Sequence, residues 1–462
     1  MTNNKTTRDM TEGNIYLHML GFAVPVFISE VFQQLYNTAD ALIVGNFLDN
    51  ASFAAVTASG TLIFLLVSFF TGTAMGAGVV ISKYFGAGDN ESVSRAIHTV
   101  IALGLVCGTV LTAVGMAFTP TFLEWMNTDE NVLPKAVEYF RYYFIGAISM
   151  VMYNVCRSVM NALGDSKRPL FYLIFSSVLN VALDLVFIAW LGFGVWSAAV
   201  ATVIAQTASM VLCFAHLFKR GNVFTVSFKK IKFHKDMLKE IIRYGLPSGV
   251  QNSVIGLANV IVQSQINSFG ELATSGYGAY AKVEGFAFLP ITSFSMASTT
   301  FIGQNLGAGK YDRAKKGALF SIIAAVITAE VIGLIFYLAA PQLIGIFNKN
   351  PDVITYGVRQ ARTTSLFFCL LAFSHSVAAV CRGAGKAFVP MFIMLSVWCV
   401  IRIVYILTVM HFTGEIGYIY WAYPITWGIS SVIYLLYYLF SDWVHGFDKK
   451  KKTKSNKEIS CE

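Results

Sequence analysis

The stretch GVVISKYFGAGDNESVSRAIHTVIALGLV, residues 78–106, leaves one apolar run, turns at Gly86-Ala87-Gly88-Asp89 and enters a second apolar run. A helix needs roughly 20 apolar residues to cross a bilayer core of about 30 Å, and runs of that length recur along nearly the whole chain. The 462 residues are 56% hydrophobic and 13% charged, with a mean hydropathy of +0.62. A soluble domain carries about 25% charged residues, so this composition belongs in lipid. Apolar runs between polar or Gly/Pro breaks predict an all-α integral membrane protein of about twelve helices, near 15–43, 53–82, 94–118, 136–160, 169–190, 195–217, 238–268, 277–302, 315–340, 354–380, 388–411 and 417–441.

The basic residues test this count, because cytoplasmic loops retain Lys and Arg. Segments 1–14, 83–95, 161–169, 218–243, 303–316, 381–388 and 442–462 hold 2, 2, 2, 8, 4, 2 and 6 of the 34. The alternate loops hold only Lys135 and Lys349. The pattern predicts a multi-pass protein of the cell membrane with both termini cytoplasmic and an uncleaved first span. It also accounts for the net charge of +9 without any nucleic acid, since the Lys449–Lys452 run suits anionic lipid headgroups. The seven cysteines form no Cys-x-x-Cys pair and read as small core residues.

Working outward from the Gly86 turn, the chain repeats itself at a shift of 221 residues. Gly86-Ala87-Gly88 falls on Gly307-Ala308-Gly309, Pro120 on Pro341, Asn127 on Asn348, Arg141 on Arg362, Gly164 on Gly385 and Pro169 on Pro390. With one residue of slip, Pro25 falls on Pro247. Each half has an even number of spans, so both enter the membrane in the same direction as parallel repeats, and a cleft between such halves serves alternating access. The expected organisation is a cytoplasmic N-terminus (1–14), a six-helix lobe (15–217), a cytoplasmic linker (218–237), a second six-helix lobe (238–441) and a basic cytoplasmic tail (442–462).

A charge inside hydrocarbon costs several kcal/mol, so ionisable residues within spans are functional candidates. Glu30, Gln33, Asn37 and Asp40 fall within an arc of about 80° on the first span, and a polar stripe in lipid must face protein or water. Asn180 and Asp184 stack on one face of the fifth span, and Thr202, Gln206 and Ser209 on one face of the sixth. With Asp40 they would supply hard oxygen ligands for Na⁺ or a shared proton site. Two carboxylates in a dry site do not both stay charged cheaply, so such a site is a proton or cation switch.

The matching face in the second half is not acidic: Asn252, Asn259 and Gln263 line the seventh span. Glu284 in the eighth span stands as a cavity residue or as the partner of an arginine such as Arg362 or Arg402, and Glu330 in the ninth is isolated. Gly72, Gly76 and Gly78 read as close-packing glycines. Gly307-Ala308-Gly309-Lys310 lacks the spacer and the Ser/Thr of a P-loop, so no ATP use is expected. No catalytic motif is present, so the reading is a transporter and not an enzyme, with no cofactor beyond a coupling ion.

The first-span pattern from Pro25 through Asp40 to Gly45, the loops YFGAGD (84–89) and GQNLGAGKYDRA (303–314), the turn NALGDSKRP (161–169) and the span AKVEGFAFLP (281–290) together resemble the multidrug and toxic compound extrusion (MATE) transporters. The resemblance covers about residues 15–440. It implies a V-shaped pair of six-helix lobes that export cationic or amphipathic compounds in exchange for H⁺ or Na⁺. The branch similar to the DNA-damage-inducible F proteins uses an Asp of the first span, an Asn and an Asp of the fifth and a Thr of the sixth, which implies a coupling role for Asp40, Asn180, Asp184 and Thr202. The other branch uses a Glu of the seventh span where this sequence has Ile255. Glu30, Gln33, Asn37, Gln206, Asn259, Gln263 and Glu284 are then expected around the substrate. The expected partners are a drug-like small molecule and the lipid bilayer, with the protein a monomer. The rival reading, a lipid-linked oligosaccharide flippase, would need a cationic cavity, for which Arg141, Arg157, Arg359, Arg362 and Arg402 are the few candidates.

Overall fold

The structure, a computed structural model, describes residues 9–125, 128–219, 224 and 226–447. Asn127, the Lys449–Lys452 run and Cys461 lie outside the described residues, as do parts of the N-terminus, linker and tail. Every regular element among the described residues is helical. The described residues divide into two compact units, residue 9 with 28–249 and residues 10–27 with 250–447.

The first unit takes most of α1 (Ile15–Phe47), then α2 (Asn50–Gly86), α3 (Asn90–Trp125), α4 (Leu133–Ile145), α5 (Ala147–Ala162), α6 (Lys167–Asp184), α7 (Trp196–Phe218) and the start of α8 (Lys235–Asn267). Helix α3 packs on α4 and α5, α5 on α7, and α6 on α7. The second unit holds the start of α1, the rest of α8, then α9 (Glu271–Gly307), α10 (Tyr311–Leu338), α11 (Ala340–Phe347), α12 (Pro351–Thr364), α13 (Phe368–Gly383), α14 (Phe388–Met394), α15 (Arg402–Thr413) and α16 (Ile416–Phe440). There α9 packs on α10, α12 and α13, and α16 on α13 and α15. Helices α1 and α8 therefore each pass from one unit to the other partway along, just beyond Pro25 and Pro247.

Nine helices among the described residues are long and apolar enough to cross a membrane, and ten when α4 and α5, bent by 48° at Gly146, count as one. The long helices α2 and α8 bring the rods to the expected twelve, with α11 a short addition. The helices outrun the apolar windows read from sequence because they continue past the hydrocarbon into the polar turns. Those turns show why the Gly-x-Gly signal repeats. Gly88 and Gly309 both have φ of 71°, a left-handed conformation that glycine adopts at no steric cost. Behind each, the next N–H reaches back to close the helix end, Asp89 to Tyr84 and Lys310 to Asn305. Gly164 and Gly385 close α5 and α13 in the same way, through Asp165 to Met160 and Lys386 to Cys381.

The fourth rod of each half is broken at one register. Gly146 bends α4 against α5, and the 3₁₀ turn Ser365–Phe367 separates α12 from α13. Glu330 on α10 accepts the Cys369 N–H at 3.1 Å and so caps α13, which gives this isolated carboxylate a structural role. The glycines of α2 pack as expected: a Cβ on Gly76 would lie 2.2 Å from the Gly245 backbone nitrogen of α8. Six of the cysteines are free thiols, buried or half-buried.

Candidate functional site

Asp40 sits seven residues before the end of α1, Asp184 six residues before the end of the π turn Leu185–Trp190 that continues α6, and Thr202 six residues into α7. At about 1.5 Å per residue all three lie roughly 9–11 Å from helix ends on the side poor in Lys and Arg. The connectivity of three separate helices thus delivers them to one depth within the first unit.

There the carboxyl of Asp40 meets the carboxyl of Asp184 and the hydroxyl of Thr202. Asn180 Nδ2 donates to Thr202 Oγ1 at 3.4 Å, and Thr202 donates to the Ala198 carbonyl at 3.1 Å. Asp184 is fully buried and Asn180 1% exposed, so water does not solvate either group. Both Asp184 oxygens, Asp40 Oδ1 and Asn180 Oδ1 face no hydrogen-bond donor among the described residues. Two negative charges about 4 Å apart repel by roughly 4 kcal/mol at an effective dielectric of 20. A proton or small cation between them removes that repulsion and satisfies the oxygens, and the all-oxygen donor set of carboxylates, amide and hydroxyl fits Na⁺ as well as H⁺.

Three tyrosines surround the pair that the sequence reading did not single out. Tyr36 accepts from Gln206 Nε2 at 3.3 Å, and Tyr139 and Tyr143 of α4 stack at 6.2 Å between centroids. All three lie within electrostatic reach of Asp40, and Tyr139 also of Asp184. Their signal was helical spacing: Tyr36 is one turn before Asp40, and Tyr139 and Tyr143 are one turn apart. Ile43, Val44, Ile188, Val195 and Ala198 form an apolar wall beside Tyr139. The π turn starts immediately after Asp184, a placement common to functional sites in helices.

Of the residues expected around the substrate, Gln206 meets this cluster through Tyr36, and the others lie along the two units. Glu30 forms an ion pair with Arg157 of α5, which is 8% exposed. Gln33 is half-buried and Asn37 exposed. In the second unit Asn259 is exposed, and Gln263 donates to Asn267 on its own helix at 2.7 Å. Glu284 accepts from Tyr280 at 3.0 Å, and Tyr280 also bonds Thr364 at 2.6 Å. Arg402, rather than Arg362, is the arginine within electrostatic reach of Glu284. It is 2% exposed, not at a span end, and it donates to Thr426 at 2.9 and 3.2 Å with its guanidinium 4.6 Å from the Tyr423 ring centroid. Lys282 is exposed. Arg157 and Arg402 are thus already engaged by protein groups.

Known proteins share this architecture along the whole chain. A solved outward-facing multidrug resistance MATE family transporter of the MOP superfamily superposes with a TM-score of 0.88 at 23% identity, covering 95% of this chain and 98% of that one. A MOP superfamily transporter from Pyrococcus furiosus gives 0.88 at 22% identity, covering 95% and 97%. Among curated relatives, the "Probable multidrug resistance protein YoeA" of Bacillus subtilis is 28% identical over 446 residues, 94% of this chain and 96% of the relative. The "Probable multidrug resistance protein NorM" of Thermotoga maritima is 25% identical over 389 residues, 82% of each chain. The MatE family pattern matches twice, at residues 25–186 and 247–408, with start points 222 residues apart, as the Pro25 and Pro247 register requires. With those two matches taking in well over half of its residues, this multi-pass membrane protein belongs to the MatE family.

Proposed function

We propose that this protein is a secondary active multidrug exporter of the cell membrane, with both termini cytoplasmic, working as a monomer without ATP. It exchanges cationic or amphipathic organic compounds for H⁺ or Na⁺ by alternating access. The observation that carries this reading is the meeting of Asp40 and Asp184 beside Asn180 and Thr202, with Asp184 and Asn180 out of reach of water. A site of this kind has one negative charge to offer, and an organic cation and a coupling ion compete for it. Uptake of the ion neutralises the pair and releases the substrate, and loss of the ion restores the charge for the next molecule. The names of the relatives, multidrug resistance and export proteins, support the substrate class. Tyr36, Tyr139 and Tyr143 supply flat faces beside the charge, suited to aromatic cations.

The test is dye efflux from vesicles holding the wild type, Asp40→Asn or Asp184→Asn, with the proton and sodium gradients collapsed separately. One of the two collapses should stop wild-type efflux, and both variants should be inactive while inserted and folded. Efflux that survives loss of both gradients would overturn the assignment.

A further inference from the structure

Two surface grooves among the described residues are lined in the same repeat register. The groove of the second unit, about 800 Å³, is lined by Val358, Arg359, Arg362, Leu366 and Trp421 among others, and that of the first, about 450 Å³, by Val137, Glu138, Arg141 and Ile145 among others. Every lining residue of the smaller groove lands on a lining residue of the larger one at the 221-residue shift. Arg141 and Arg362 hold the same register, while Glu138 is replaced by Arg359.

Arg141 and Arg362 are exposed, and neither has a carboxylate partner among the described residues; Arg362 lies only over the Tyr337 ring, 5.8 Å from its centroid. Their depth makes that costly. Helix α3 has 36 residues, about 54 Å, and overshoots a core of about 30 Å by roughly 12 Å at each end. Arg141 is eight residues, about 12 Å, into α4, and Arg362 eleven residues, about 16 Å, into α12. Arg141 thus comes to the boundary between headgroups and hydrocarbon on the side poor in Lys and Arg, and Arg362, over Tyr337 one residue from the end of α10, comes to the corresponding boundary of its own unit. Apart from Thr355 and Thr363, whose hydroxyls donate to the Pro351 and Arg359 carbonyls of their own helix, the rest of the second groove is apolar or aromatic, with Leu366 and Trp421 exposed as interfacial residues are. A phosphodiester brings two oxygens to a guanidinium fork while its chains lie along such a wall.

We propose that the groove of the second unit is a binding site for the headgroup of an anionic phospholipid, with Arg362 as the phosphate ligand and the source of the groove's net positive charge, since Arg359 is offset by its ion pair with Glu415. The first groove, where Glu138 offsets Arg141, has no net charge to prefer an anionic lipid and serves as an internal control.

The test is native mass spectrometry of the full chain from micelles doped equally with dioleoyl phosphatidylglycerol and dioleoyl phosphatidylethanolamine. The wild type and Arg141→Gln should retain phosphatidylglycerol with a preference of about ten-fold, because phosphatidylethanolamine has the same phosphodiester but adds an ammonium that the groove's positive charge repels. Arg359→Gln/Arg362→Gln should retain both lipids equally. A wild type without preference, or a double variant that keeps it, would overturn the proposal. Should the double variant not fold, brominated lipids decide the matter in the unaltered groove. The emission lost on quenching, taken as the difference between the wild type and Trp421→Phe, should be greater with brominated phosphatidylglycerol than with brominated phosphatidylethanolamine, and equal quenching would count against the site.

Discussion

Removing one member of the Glu30–Arg157 pair should damage the protein more than removing both. The side chains are 23% and 10% exposed, so whichever charge is left behind stays largely out of water. Breaking a buried pair from one side costs about 3–5 kcal/mol, whereas replacing both partners with apolar groups is often neutral. Glu30 keeps more contact with water, so Arg157→Met should fall near the lower value, about 3 kcal/mol, and Glu30→Leu, which strands Arg157, near the upper. Glu30→Leu/Arg157→Met should lose less than either single variant, a non-additivity of at least about 5 kcal/mol, or roughly several thousand-fold in the folding equilibrium. The measurement is reversible unfolding in mixed micelles for all four proteins. A double variant as unstable as the sum of the singles would show that the two charges are solvated independently, and the assignment of Glu30 to a structural pair would fall.

Three further outcomes follow from the packing and the turns. Gly333→Ala places a Cβ 2.2 Å from the Ser365 carbonyl oxygen, which is backbone and gives little, so the melting curve should record a loss of about 1–3 kcal/mol. Glu330→Ala removes the acceptor for the first turn of α13 and should cost about 1 kcal/mol, with local hydrogen exchange rising at Cys369. Asp49, at the N-cap of α2, is held well below the usual carboxylate range by its hydrogen bond from Lys135 and then by Ser52. A depressed acid stabilises the fold fully above the ordinary Asp value of about 4 and loses that contribution as pH falls below it. Unfolding midpoints should therefore drop on acidification below about pH 4, and drop less steeply in Asp49→Asn; identical slopes would remove Asp49 from the acid response.

Much of this fold could be read from the residues alone, because hydrocarbon imposes length and apolarity on each span and duplication imposes a register. The register predicted equivalence at Gly88 and Gly309, and the backbone carries it at identical φ. Breaks within spans were harder to see. Nothing in Leu185–Trp190 or Ser365–Phe367 breaks a helix by composition; the capping by Glu330 and the close approach of Gly333 belong to tertiary packing. The passage of α1 and α8 between units just beyond Pro25 and Pro247 is likewise a matter of partners, not of local sequence. At the site, periodicity put Asn180 with Asp184, and the buried charge flagged Asp40. The same periodicity placed Glu30 on the Asp40 stripe, where Arg157, 127 residues away, claims it instead.

The claim on which the transport reading depends is that one charge, shared by Asp40 and Asp184, holds either the coupling ion or the organic cation. It is tested most directly by adding a dye cation to purified protein in weakly buffered solution and recording the H⁺ or Na⁺ released. The wild type should release ion in proportion to dye bound, with dye affinity falling as the ion concentration rises, and Asp40→Asn should release none. Dye binding that leaves proton and sodium levels unchanged in the wild type, or undiminished release from Asp40→Asn, would contradict it.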